Sequence, residues 1–276
     1  MSVNTESIEN KTSEVRVGND TNVSIEISNA SLRYLDNSIA TLADLNLHLA
    51  ASSWTVLLGR SGCGKTTVLR YLAGLLEDQV EWKGSLRTSD DKALNDRIAY
   101  MAQQDLLLPW LSVIDNVCLS SRFTSSQPGT TSSDESDSSS KAKAKKLLKD
   151  VGLADYTDAK SDQLSGGMRQ RVALARTLMQ DKPVVLMDEP FSALDAVTRH
   201  KLQTLACELL RGKTVVLITH DPQEAVRLAD NLYVLKSTPA NAHSLPVPST
   251  GTPRILDGEC AQLQQAILNQ LEQDYD

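Results

Sequence analysis

GRSGCGKT, residues Gly59 to Thr66, meets the pattern G-x-x-x-x-G-K-[S/T] at every fixed position. An apolar run, Trp54-Thr55-Val56-Leu57-Leu58, leads into it, and Thr67-Val68-Leu69-Arg70-Tyr71-Leu72 follows with helical spacing. Strand, tight loop and helix form the setting in which this pattern holds phosphate. Glycines permit the turn, and successive backbone N–H groups converge on anionic oxygens at a helix N-terminus. Gly59, Arg60, Ser61, Gly62, Cys63 and Gly64 would form the cradle. Lys65 is expected to reach the terminal phosphates of a nucleotide, and the Thr66 hydroxyl to ligate Mg²⁺. The motif speaks for nucleotide binding and says nothing about what is done with the nucleotide.

Outward from this loop the chain alternates strands and helices. Val23–Ile27 and Ala30–Tyr34 each alternate with period two, and Leu45–Leu49 reads as a third strand, so a β-rich N-terminal layer is predicted. Val80–Trp82 and Gly84–Leu86 read as a strand or hairpin, and Ile98–Ala102 as a short strand ending at Gln103. Val184–Met187 and Thr214–Ile218 are wholly apolar, as buried parallel strands are, and end at Asp188-Glu189-Pro190 and Thr219-His220. Helical spacing over 145–151, after Ser165 and over 200–210 completes a parallel α/β sheet. Ser112 is placed to N-cap a helix, with Asp115 at capping-box range.

At 276 residues, with 41% hydrophobic and 23% charged residues, the chain can bury a substantial core. A net charge of −7 disfavours a nucleic-acid partner. No apolar run approaches the ~18 residues of a membrane span, and residues 1–22 show neither a secretory signal nor folding pattern and read as a disordered tail. Four dispersed cysteines, without CxxC spacing, argue against a disulfide framework or zinc site. Residues 121–143, nearly all Ser, Thr, Asp and Lys, read as a flexible insertion. Beyond Lys236 the chain turns Pro/Ser/Thr-rich before a weakly amphipathic helix from about Gly258 to Glu272.

Polar groups at the ends of buried strands carry the chemistry. Active groups of open parallel sheets gather at the carboxyl ends of strands, and the phosphate loop, Gln103, Asp188-Glu189 and His220 all follow apolar strands. Asp188 suits a second Mg²⁺ contact, and Glu189 suits the base that orients and deprotonates a water for attack on the γ-phosphate. Asp-Glu-Pro would also suit a helix start, but less well downstream of a phosphate loop. Leu164-Ser165-Gly166-Gly167-Met168-Arg169-Gln170 supplies a second glycine-rich helix N-terminus, hence a second anion site without a phosphate loop of its own. A two-fold dimer resolves this: Ser165 and Gly167 of one copy would close over ATP held by the other.

At these residues the sequence resembles the ATP-binding subunits of ABC transporters, over roughly residues 23–236; LSGGMRQR, Leu164 to Arg171, is the signature that sets this family apart among P-loop ATPases. The resemblance implies a P-loop NTPase (ABC ATPase) core of class α/β, with an N-terminal antiparallel β layer, an α-helical subdomain at about 104–165 and a C-terminal extension at 237–276. It implies that Tyr34 stacks on adenine, that Gly59–Thr67 is the Walker A loop, and that Gln103 is the Q-loop glutamine on Mg²⁺. Val184–Asp188 becomes the Walker B strand, Glu189 the catalytic base, Asp195 part of the D-loop facing nucleotide, and His220 the switch histidine. Ser165, Gly166 and Gly167 would complete the site of a second copy. Further partners implied are an integral membrane permease, docked beside the loop after Gln103, and indirectly a solute-binding protein. The implied place is cytoplasmic, on the inner face of the membrane through that permease.

LLPWLSVIDNV, PFSALDAVTR and ITHDPQEAVRLAD are similar to the importer branch for nitrate, sulfonates, taurine and thiamine-pyrimidine precursors, and GRSGCGKTT and THDPQEAVRLADNLYVL lean toward its hydroxymethylpyrimidine members. The alternative is a soluble non-transport ABC ATPase acting on nucleic acid or the ribosome; one cassette, no sustained heptads and acidic balance speak against it. Departures from the pattern are Ala102 and Gln104 around Gln103, and Ser52-Ser53 before the phosphate-loop strand. None removes a catalytic group.

Overall fold

Three strands, at 54–59, 184–188 and 214–218, are buried along their whole length, which requires the middle of a sheet covered on both sides, and that is where they lie. The computed structural model describes residues 23–124 and 133–273. The strands are β1 (Ile25–Tyr34), β2 (Leu42–Leu49), β3 (Trp54–Gly59), β4 (Val80–Thr88), β5 (Ile98–Met101), β6 (Val184–Asp188), β7 (Thr214–Ile218), β8 (Asn231–Lys236) and β9 (Asn241–Leu245). The helices are α1 (Lys65–Leu72), α2 (Val113–Val117), α3 (Leu119–Thr124), α4 (Ser133–Asp150), α5 (Gly166–Met179), α6 (Ala196–Leu209), α7 (Pro222–Leu228) and α8 (Gly258–Gln273).

The larger sheet has the order β5-β6-β7-β3-β8-β9, parallel throughout except for the β8–β9 pair. Successive side chains of a strand point to opposite faces. Val56 and Leu58 of β3, with Val185, Met187, Val215 and Leu217 of β6 and β7, join the core under α5, α6 and α7. Leu57, Leu186, Val216 and Ile218 join a second core with α1 and the antiparallel sheet β2-β1-β4. Full burial of each such side chain stabilises by about 1.5–3 kcal/mol, which is why β6 carries no polar residue before Asp188.

The antiparallel layer corrects one expectation. Val23–Ile27 and Ala30–Tyr34 are not two strands, because residues 25–34 run as one strand against both neighbours. Buried Ile25 and Ile27 give way to buried Ala30 and Leu32, a change of phase, since a bulge between Ser28 and Ser31 inserts an extra residue. Asn29 adopts φ 49°, and across from it Gly84 lies at φ 113°, where a Cβ would come within 2.7 Å of the Ala30 Cα and the Asn29 carbonyl. Val80–Trp82 and Gly84–Leu86 accordingly form one strand. Tyr71 of α1 stacks on Trp82 of β4, centroids 3.9 Å apart, tying this layer to the helix behind the phosphate loop.

A second correction concerns 121–143. The expected tail at 1–22 and residues 125–132 lie outside the described residues, but Ser133–Asp150 is one helix rather than a flexible linker followed by a helix. Composition misleads here because the charges are ordered: acids come first and lysines after, which complements the helix dipole. Asp137 and Lys141 pair at i,i+4, 2.8 Å apart, and Ala144, Leu147 and Leu148 anchor the C-terminal half in the core. The expected α2 cap is present: Ser112 Oγ accepts from the Asp115 N–H at 3.2 Å. The C-terminal helix also forms, preceded by the unanticipated strand β9. Arg254, 4% exposed, donates to the carbonyls of Val226, Ala229 and Pro248, so the 246–257 segment is clamped to the end of α7.

Candidate active site

Because β5, β6, β7 and β3 are neighbours in the sheet, the four polar stretches predicted from sequence emerge side by side at its carboxyl edge. The phosphate loop leaves β3 at Gly59 and closes at Gly64, whose φ of 104° only glycine adopts without strain. A Cβ there would stand 2.8 Å from Leu42 Cδ2, so the antiparallel layer packs directly on the loop. Lys65, 6% exposed, donates through Nζ to the Gly59 and Arg60 carbonyls, both at 2.7 Å. Cys63 is buried against this lysine, with Sγ 3.9 Å from Nζ, while Ser61 and Gly62 face outward. Tyr34 comes to the same loop: its hydroxyl lies 3.3 Å from Thr67 Oγ1.

Beyond β6 the chain turns sharply at Glu189, which holds φ 49°. A left-handed residue with a Cβ costs about 1–2 kcal/mol, so its neighbours must hold it. Its N–H donates to the Ile218 carbonyl at 3.0 Å; its own carbonyl accepts from Ser192 N, Ser192 Oγ and Gln170 Nε2. The carboxylate so aimed meets two polar groups, with Oε2 lying 3.0 Å from His220 Nδ1 and 3.4 Å from Gln103 Nε2. The Glu189 side chain is 18% exposed and that of His220 61% exposed.

Asp188 is 1% exposed, and its Oδ2 has no hydrogen-bond partner. Burial raises its pKa, the charge of Glu189 adds to the rise, and the Thr66 hydroxyl and Lys65 ammonium oppose it. An orphaned carboxylate oxygen beside a hydroxyl is a hard-oxygen donor set, which fits Mg²⁺, an ion that takes one or two protein oxygens and completes its shell with phosphate and water. Thr66 and Asp188 would hold it. Gln103, also expected on the metal, directs its amide nitrogen to Glu189, and its Oε1 is the atom that would meet a cation.

Ser165, Gly166 and Gly167 are not brought to this loop. Ser165 Oγ caps α5 by accepting from the Met168 N–H at 3.3 Å, and Gly167 packs against Ala193 and Leu194. Among the described residues no hydrogen bond or ion pair joins them to Gly59–Thr67. Both Ser165 and Gly166 are exposed. Asp195 is likewise turned to its own helix: its Oδ1 accepts from the Val197 and Thr198 N–H groups at 3.1 and 3.0 Å, capping α6.

Sequence reading assigned no role to Gln170, although a signal was available. It falls on the stripe Ala173, Leu174, Thr177 of α5, where a glutamine among buried residues must find partners. A second network also went unseen: buried Glu224 accepts from Gln203, which accepts from Arg227, locking α6 to α7 behind His220. Burial pushes the Glu224 carboxyl up, against the pull of Thr219 and Gln203.

A phosphate loop on β3, an acidic pair at the end of β6 across β7 and a signature helix facing elsewhere define an ATP-binding cassette ATPase. The chain belongs to that family: the family described as ABC transporter matches residues 42–192. An uncharacterized ABC transporter ATP-binding protein of Haemophilus influenzae is 42% identical over 90% of this chain and 98% of its own length. An aliphatic sulfonates import ATP-binding protein of Xanthomonas axonopodis pv. citri is 41% identical, covering 82% of this chain and 86% of the relative. A taurine import ATP-binding protein of Pelagibacter ubique is 36% identical over 83% of each chain. Among solved structures, a dimeric ATP-binding cassette in a post-hydrolysis state with ADP and Pi superposes with a TM-score of 0.70, at 29% identity over 82% of this chain and all of the other. Among the described residues no helix is long and apolar enough to cross a membrane.

Proposed function

We propose that this chain is the ATP-hydrolysing subunit of an importer, working as a two-fold dimer beneath a separate permease at the cytoplasmic face of the membrane. The observation that carries hydrolysis is the Glu189 carboxylate, held by a left-handed backbone within 3.0 Å of His220 and 3.4 Å of Gln103. Glu189 would orient a water and take its proton; His220 and Gln103 keep the carboxylate in one direction and present N–H groups toward developing charge. Lys65 supplies a buried positive charge at the loop, and Tyr34 offers an aromatic face to the base. Thr66 and Asp188 would hold Mg²⁺, which would neutralise phosphoryl charge when bound.

The dimer follows from the signature. Exposed Ser165 and Gly166 start a helix whose N–H groups are an anion site, and the same chain's loop is out of their reach. A second copy supplies the missing half. The dimeric cassette among the similar structures supports this arrangement. For the permease, the support is the exposed pair Leu106 and Trp110, 58% and 68% accessible, on the loop after Gln103. The named relatives support a small sulfonate or taurine-like solute; hydroxymethylpyrimidine is the second candidate.

The test is reconstitution with the permease and solute-binding protein of the same system. ATP hydrolysis should rise on adding binding protein loaded with a sulfonate, and the subunit should be retained by membranes only when the permease is present. Retention by ribosomes or DNA, with no integral membrane partner, would overturn the reading.

A further inference from the structure

We infer that Gln170 is a positioning residue for hydrolysis, acting through Glu189. It lies in α5, in the second turn after Ser165, and is 6% exposed. Its Nε2 donates to the Glu189 carbonyl at 3.0 Å, and its Oε1 accepts from the Ala193 N–H at 3.1 Å. A carbonyl needs a donor and an N–H needs an acceptor, so only one orientation of the carboxamide satisfies both. One planar group therefore spans the turn from Glu189 to Ala193, the turn that holds Glu189 at φ 49°.

The consequence is mechanical. α5 begins at Ser165-Gly166-Gly167, so whatever meets that N-terminus is joined through one buried side chain to the backbone that aims the carboxylate. Ser192 also holds the Glu189 carbonyl, but from within the same turn, and cannot tie it to another element. Gln170 provides that tie. The inference rests on the hydrolytic role proposed for Glu189.

The test uses the full-length protein with Mg-ATP. Gln170→Met keeps length and volume but removes both hydrogen bonds, and is expected to lower kcat about tenfold or more with KM for ATP within about threefold. Gln170→Glu keeps the acceptor for Ala193 but donates to Glu189 only while protonated, so its kcat should recover as pH falls, unlike the wild type's. In single turnover, Gln170→Met added to Glu189→Gln should slow the residual reaction by less than about twofold, because the residue it positions is already gone. A wild-type kcat in Gln170→Met, or a full additive loss on top of Glu189→Gln, overturns the inference. If the methionine variant does not fold, the pH profile of Gln170→Glu decides, and a profile parallel to wild type overturns it. An active Glu189→Gln enzyme would instead bring down the reading on which this stands.

Discussion

His220 Nδ1 and Glu189 Oε2 are 3.0 Å apart, although they stand 31 positions apart in the chain with a whole helix between them. β6 and β7 are adjacent, with Asp188 in register with Ile218, so the next residues of each strand meet at the edge. Glu189→Gln keeps this contact but removes the base. It should lower ATP turnover by about 10²–10⁴-fold, leaving nucleotide binding near wild type. Phosphate release and equilibrium nucleotide binding check this, and a variant turning over at wild-type rate would remove Glu189 from the role.

His220→Ala removes a charge-assisted partner of that carboxylate and should lower kcat by about tenfold or more. The loss should appear in kcat rather than in KM for ATP, since Lys65 and the loop amides are untouched. Steady-state kinetics separate the two, and an effect confined to KM would contradict the placement.

Asp188 carries a carboxyl that burial holds above its usual range of 3.8. A group shifted upward favours the fold below its unfolded value, and that contribution is lost as pH rises through the folded value. Above that folded value the ionised carboxylate therefore opposes folding until a cation neutralises it. Asp188→Asn should raise the Tm of the metal-free protein, abolish its rise with Mg-nucleotide and increase the Mg²⁺ needed for turnover. Thermal melts with and without Mg-nucleotide test this; an unchanged Mg²⁺ response would exclude Asp188 as a ligand.

Lys65→Ala and Ser165→Arg each spoil both sites of a homodimer, but in a mixed dimer one complete site survives. An equimolar mixture should regain up to about a quarter of wild-type activity, from random pairing of two-fold dimers. Turnover measured across mixing ratios checks it. A mixture no faster than its parents would argue that the signature serves no partner copy.

Arg254→Ala leaves the carbonyls of Val226, Ala229 and Pro248 without their shared donor. At about 1–3 kcal/mol for each buried group left unpaired, Tm should fall by about 5 °C or more. Limited proteolysis should then cut between Leu245 and Gly258 before the cassette itself. Equal protection in both proteins would mean that α8, not Arg254, holds the extension.

The division between sequence and tertiary structure runs along the range of the forces involved. Gly59–Thr66, the apolar strands ending at Asp188 and Ile218, and the cap Ser112 are written in neighbouring residues, because turns, pleats and caps depend on contacts a few positions apart. So were the places of Lys65, Glu189 and His220 beyond buried strands, on which their proposed roles rest. Strand order is not local. Only packing of the sheet between two cores makes β5, β6 and β7 neighbours and so brings Gln103 and His220 to the Glu189 carboxylate. The out-of-phase halves of β1 became one strand because Gly84 opposite can accept a bulge, and residues 133–143 of the Ser/Asp-rich stretch joined a helix because Leu147 and Leu148 found a core. Gln170 shows the limit most plainly: its sequence neighbours announce burial, while its partners, Glu189 and Ala193, lie 19 and 23 residues away and are chosen by the fold.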